Sequence, residues 1–125
     1  MKKKITSNNP KDILAGRKVA LGLLPGAGKI YGALAMNEGI KKGYGPYNWR
    51  ENAVKHTVYL DATERHLQAI RDGQWLDLES GVPHWGHIIA SASIVLDANS
   101  IGKLIDDLPP PGKAAEILDK YEVKK

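Results

Sequence analysis

His84 and His87 stand three residues apart, a spacing that puts two imidazoles on one face of a helix. Ser91 continues that face, and Asp77 and Glu79 lie just upstream. Two imidazoles with nearby carboxylates can ligate a divalent metal. The plainer alternative is structural: the carboxylates favour a positive helix N-terminus, and the histidines satisfy buried polar partners. His66 falls on the inner side of an earlier helix, in line with Tyr59, Thr63 and Ile70. A lone histidine on an apolar face is more often a satisfied core residue than a ligand. Beside Arg65 and the later histidine pair, it also fits a shared polar pocket. Asp61 and Glu64 offer two carboxylates on one side of the same helix, enough to share a magnesium ion with Glu38 from another helix. Asp61 and Arg65 are equally an i,i+4 surface ion pair, worth about 0.2–0.5 kcal/mol.

A second constellation is the stretch Lys41-Lys42-Gly43-Tyr44-Gly45-Pro46-Tyr47-Asn48-Trp49-Arg50. Aromatic faces stack on bases, cations such as Lys42 and Arg50 neutralise phosphates, and the Asn48 amide can read a base edge. Tyr44 and Trp49 can instead anchor the loop to the body of the protein. Gly26-Ala27-Gly28-Lys29 imitates the end of a phosphate-binding P-loop and is rejected. The position five residues before the Gly-Lys pair is Leu23 rather than glycine, and Ile30 stands where a magnesium-binding hydroxyl is needed.

These side chains must be positioned by 125 residues, enough for one domain. With no cysteine, the chain excludes disulfides, thiolate zinc sites and cysteine nucleophiles, in keeping with a reducing cytoplasm. The net charge of +4 owes much to Lys2, Lys3 and Lys4 at one end and Lys120, Lys124 and Lys125 at the other. The body is nearly neutral, which argues against duplex DNA as a partner. Ile5 is followed by Thr6, Ser7, Asn8 and Asn9, so no signal peptide is read, and no apolar run approaches the ~20 residues needed to cross a bilayer.

The pattern predicts an all-α fold. A polar arm covers residues 1–18, a helical domain 19–121 and a basic tail 122–125. Val19 to Leu24 is apolar but too short to assign. A first helix is expected from about Lys29 to Lys42, burying Ile30, Ala33, Leu34 and Ile40. A loop spans Gly43 to Arg50. A second helix runs from about Ala53 to Asp72, with Leu60, Thr63, Leu67 and Ile70 on one side and Asp61, Glu64, Arg65, Gln68 and Arg71 on the other. A third, from about Pro83 to Ala98, is apolar all round and therefore central. After the rigid Leu108-Pro109-Pro110-Pro111-Gly112 segment, a short helix from about Lys113 to Tyr121 closes the chain. Three main helices bury little alone, so self-association into a homo-oligomer is expected.

The chain resembles the phage-associated family of the dATP/dGTP diphosphohydrolase N-terminal domain, akin to MazG-like all-α nucleotide pyrophosphohydrolases. The likeness covers roughly residues 18 to 118. It is carried by the Lys41–Arg50 stretch, by Tyr59-Leu60-Asp61-Ala62-Thr63-Glu64-Arg65-His66-Leu67 and by Asp72-Gly73. Asp77-Leu78-Glu79-Ser80-Gly81-Val82-Pro83-His84-Trp85-Gly86-His87 and the Leu104–Gly112 tail complete it. MazG-like enzymes bind magnesium through paired acidic motifs on two helices. Here Lys41 follows Glu38 at the spacing of the first pair, and Asp61-x-x-Glu64 approximates the second.

The resemblance implies hydrolysis of a purine deoxynucleoside triphosphate to monophosphate and pyrophosphate, with Mg2+ or Mn2+, in the host cytoplasm. Metal would be held by Glu38, Asp61, Asp77 and Glu79. Lys42, Arg50 and Arg65 would clamp phosphates, and Tyr44, Asn48 and Trp49 would hold the base. Glu79, His66, His84 and His87 would serve the chemistry, orienting carboxylates or water or binding metal directly. Two alternatives stand beside it. One is a non-catalytic protein that sequesters a nucleotide or nucleotide-derived signal, as in phage anti-defence. The other is a structural accessory protein.

Overall fold

A computed structural model describes residues 4–123. Lys2, Lys3, Lys124 and Lys125, assigned above to the basic ends, lie outside the described residues. Within the polar arm a short helix, α1 (Pro10–Ala15), forms where none was expected. Its cause is local: Asn9 Oδ1 accepts the Lys11 N–H at 2.9 Å, and Pro10 occupies the first turn, where its missing N–H is harmless. The apolar Val19–Leu24 run contains a 3-10 turn, Leu21–Leu23, and is exposed throughout.

Three long helices make the body: α2 (Gly26–Lys41), α4 (His56–Arg71) and α5 (His84–Ser100). Between α2 and α4 the expected loop contains one helical turn, α3 (Asn48–Glu51). Two strands that periodicity did not suggest, β1 (Val54–Lys55) and β2 (Leu104–Ile105), pair in parallel, Val54 with Leu104 and Lys55 with Ile105. The closing helix, α6 (Ala114–Lys120), is where the sequence suggested. The fold is thus all-α, with α5 packed between α2 and α4. Among the described residues, no helix is long and apolar enough to cross a membrane.

The buried face of α2 differs from the expectation. Ile30, Leu34 and Ile40 are exposed, as is Ala33, while Gly32 and Ala35 are buried. Small residues win that face because α5 approaches too closely for large ones. A Cβ on Gly32 would lie 2.7 Å from Ile89 Cγ2, and one on Gly86 would lie 2.8 Å from the Tyr31 carbonyl oxygen. Ala35, Val82 and Ala90 form the small core around this crossing, with Met36 packed against it. α5 is central but not fully enclosed: Trp85 and Leu96 remain exposed on its third side.

Candidate functional site

The turn between α4 and α5 is built by its own polar groups. Asp77 Oδ1 accepts the backbone N–H groups of Glu79 (2.8 Å) and Ser80 (3.1 Å), and Asp77 N donates to Val82 O at 2.9 Å. The aspartate therefore folds the loop that holds it, the usual service of this residue type in turns. His84 N donates to Trp75 O at 3.0 Å, which fixes the start of α5.

Three imidazoles meet behind that turn. His84, 4 % exposed, has its Nδ1 2.7 Å from His66 Nδ1, while its Nε2 donates to Gln74 Oε1 at 2.6 Å. With Nε2 carrying the proton, His84 Nδ1 presents a lone pair, and His66 Nδ1–H is the donor between the rings. The His87 ring stacks on His66, with centroids 4.8 Å apart and planes within 3°. His87 Nε2 lies 2.7 Å from Ser80 Oγ and 4.0 Å from Asp77 Oδ2. Burial lowers the pKa of His66, with the neighbouring His87 and His84 adding to the effect, and burial likewise lowers that of His87. Both rings are held neutral near pH 7. Burial alone would raise the Asp77 carboxyl, but the N–H groups of Ser80 and Glu79, then His87 and His84, outweigh it and hold it low.

The cluster opens into a cleft of about 860 Å3 between α2, α5 and the 42–50 segment. His66, His87, Tyr59 and Glu38 line its inner part, and Lys42, Tyr44, Asn48, Trp49 and Arg50 its rim. Burial, with Tyr44 nearby, raises the Tyr59 pKa and keeps that hydroxyl protonated. Trp49 and Arg50 are tied down: Trp49 Nε1 donates to Asp97 Oδ2 at 2.7 Å, and Arg50 grips the same carboxylate with two nitrogens. The Arg50 guanidinium also covers the Tyr47 ring at 4.4 Å. Tyr47 itself has φ 57°, a left-handed conformation uncommon outside glycine, which turns the chain into α3. Asn48 Oδ1 accepts from Asn52 Nδ2. Tyr44 stays mostly exposed.

The proposed site residues thus divide. His66, His84, His87 and Asp77 come together, with Glu38 and Lys42 on the same cleft. Glu79 pairs with Lys42 at 3.1 Å across the cleft edge, and Glu38 with Lys41 at 3.1 Å. Asp61 and Arg65 do not join them. They line a separate shallow groove with Glu64, Gln68 and Arg71, so Asp61 does not join Glu38, Asp77 and Glu79 around one metal as the resemblance implied. The four oxygen donors foreseen for magnesium are consequently dispersed. Among the described residues, the group whose ligand atoms share one locus is His66, Asp77 and His84, all within 4.8 Å of one another. Sequence reading missed Gln74, Ser80 and Asp97. Ser80 had a local signal in the turn-forming Asp77-x-x-Ser80, whereas Gln74 and Asp97 reach partners far along the chain.

Residues 8–108 match a family described as dATP/dGTP diphosphohydrolase, N-terminal. The chain belongs to the dATP/dGTP diphosphohydrolase N-terminal domain family. Membership sets this diphosphohydrolase-family domain among nucleotide hydrolases at the level of the family, and the match spans the whole histidine–aspartate cluster and the cleft rim. No curated protein and no solved structure matches the chain.

Proposed function

We propose that the domain binds a purine (deoxy)nucleoside triphosphate in the cleft and hydrolyses it to monophosphate and pyrophosphate. The observation that carries this is continuity: one cleft of about 860 Å3 runs from the aromatic and cationic rim to His66 and His87. That volume lies within the range of small-molecule sites, roughly 300–1,000 Å3. Tyr44, mostly exposed, is the side chain free to stack on a base. Lys42 is the rim cation whose carboxylate partner, Glu79, a phosphate can replace. His87, neutral through burial, is the group to take the proton of a water attacking the α-phosphorus as pyrophosphate leaves. A divalent ion bound nearby would neutralise phosphate charge. Of magnesium and manganese, manganese is the better match to a donor set rich in imidazole.

The pairing of Glu38 with Lys41 and of Glu79 with Lys42 favours a second reading, in which the nucleotide or nucleotide-derived signal is retained without turnover, as a phage would use against host defence. One experiment tests both. Purified protein is incubated with a panel of nucleotides, with and without manganese or magnesium, and products and retained ligand are both followed. Hydrolysis that His87→Asn abolishes and Asp61→Asn spares supports the enzyme. Retention without products supports the binder. Neither products nor retention overturns both.

A second copy of the chain is proposed as the partner of the exposed apolar surface. The chain exposes 10677 Å2, whereas a compact monomer of this size exposes about 6,600 Å2. The excess, roughly 4,000 Å2 on one chain, more than covers the roughly 1,000–2,500 Å2 that each partner of an obligate homodimer buries. Its apolar part lies on Leu21, Leu23 and Leu24, on Ile30 and Leu34 of α2, and on Leu96 of α5.

A further inference from the structure

We propose that His66 Nδ1, His84 Nδ1 and an oxygen of Asp77 form a site for one divalent ion of the imidazole-preferring kind, from iron to zinc, in preference to magnesium. One ligand atom from each of the three residues already lies within 4.8 Å of the others, and the two Nδ1 atoms are 2.7 Å apart. They come from α4, the turn and α5, so the packing of the fold, and not one flexible segment, sets their spacing. Two nitrogens and one carboxylate oxygen are the donor set that such ions accept. Magnesium instead demands oxygen ligands and keeps several waters. Three protein ligands is also the number found where a metal retains a position for water or a substrate oxygen.

The surroundings are those of a ligating cluster. His84 Nε2–H is spent on Gln74 Oε1, which fixes the tautomer and leaves Nδ1 as a donor to metal. Asp77 Oδ1 is occupied by two backbone N–H groups, so the aspartate is held rigidly, while Oδ2 lies 4.0 Å from His87 Nε2. His87 stacks flat on His66 and restrains its ring plane. Without metal, the His66 Nδ1–H bonds to His84 Nδ1. Metal entry then needs one internal change: the His66 proton leaves Nδ1 and Nε2 takes one up, so the ring stays neutral and no net proton is released. The polar pair is satisfied in both states, which is how a buried imidazole cluster is tolerated in the fold before the ion arrives.

The test needs no nucleotide and is therefore separate from the question of hydrolysis. Metal-free protein is titrated with Co2+, followed by visible absorption, and then challenged with Zn2+ and with excess Mg2+. The expected result is one Co2+ per chain with ligand-field bands, displaced by Zn2+ and not by a hundredfold excess of Mg2+. His66→Gln should abolish the bands. Gln74→Leu, which touches no metal, should weaken Co2+ binding by about 10–100-fold. His56→Gln, at the far end of α4, should leave it unchanged. Asp77→Asn provides a near-isosteric second ligand variant if His66→Gln fails to fold by circular dichroism. The proposal is overturned if Co2+ gives no bands, if binding survives in the folded ligand variants, or if Mg2+ competes on equal terms.

Discussion

Arg50 holds Asp97 through two parallel contacts, Nε to Oδ2 at 2.8 Å and Nη2 to Oδ1 at 3.0 Å, across 47 residues of sequence. The Arg50 hydrogen bond, with that of Trp49, lowers the Asp97 pKa from 3.8 to about 2. Because the folded value is the lower one, the contribution to stability is complete above the unfolded value and is lost as pH falls through about 2. Trp49 fluorescence should therefore stay native-like down to about pH 3 and change below it. In Asp97→Asn this low-pH step should disappear. A Trp49 transition centred near pH 4 would show that the pair does not hold in solution.

Trp49 and Tyr44 should behave differently. The Trp49 indole is bonded to α5, so Trp49→Ala should lower the melting temperature and nucleotide affinity together. Tyr44 is exposed, and Tyr44→Ala should weaken nucleotide binding by about 1–3 kcal/mol, the range for a lost base stack, with no thermal change. Calorimetric titration beside thermal melts separates the two. Unchanged affinity in Tyr44→Ala would remove Tyr44 from the site.

The α2–α5 crossing gives a graded prediction. Gly32→Ala meets the Ile89 Cγ2 methyl at 2.7 Å, on a stiff β-branched side chain and not on backbone, and should cost about 1–3 kcal/mol. Gly86→Ala meets the Tyr31 backbone carbonyl at 2.8 Å, which cannot, and should cost more. Ile89→Ala should rescue part of the Gly32 defect and none of the Gly86 defect. Chemical denaturation of the three single and two double variants checks the order, and equal rescue of both would refute it.

If a second copy covers the exposed leucines and isoleucines, light scattering at micromolar concentration should give at least a dimer, and Ile30→Glu should shift it toward monomer. A clean monomer in the parent protein would refute the assembly.

The histidine–aspartate cluster of the candidate site was legible because helical spacing is a local property. The i,i+3 interval of His84 and His87, and the acid-rich turn before them, needed no tertiary knowledge. Asp61 was misjudged because it lies five residues from His66, about 140° around the helix. It follows the polar stripe of α4 and not its inner face. α2 was misjudged for a different reason. Its large residues at helical spacing imitate a buried stripe, yet Gly28, Gly32, Ala35 and Gly39 repeat at the same period, and a close helix crossing selects the smaller set. Only the partner helix decides between two such stripes. The β1–β2 pairing and the Asp97 anchor join residues about fifty apart and leave no periodic trace.

That small parallel ladder has a consequence for how the molecule breathes. It joins the chain just before α4 to the chain just after α5, and Asp107 reinforces the seam by accepting from both the backbone N–H and the hydroxyl of Thr57. The hairpin of α4 and α5 is thereby latched at both ends, by strands at the open end and by His66 against His84 at the turn. A hairpin latched twice opens as one unit. Its amides should exchange with deuterium together and last, while α1 and α6, exposed along their length, fray independently and leave the histidines undisturbed.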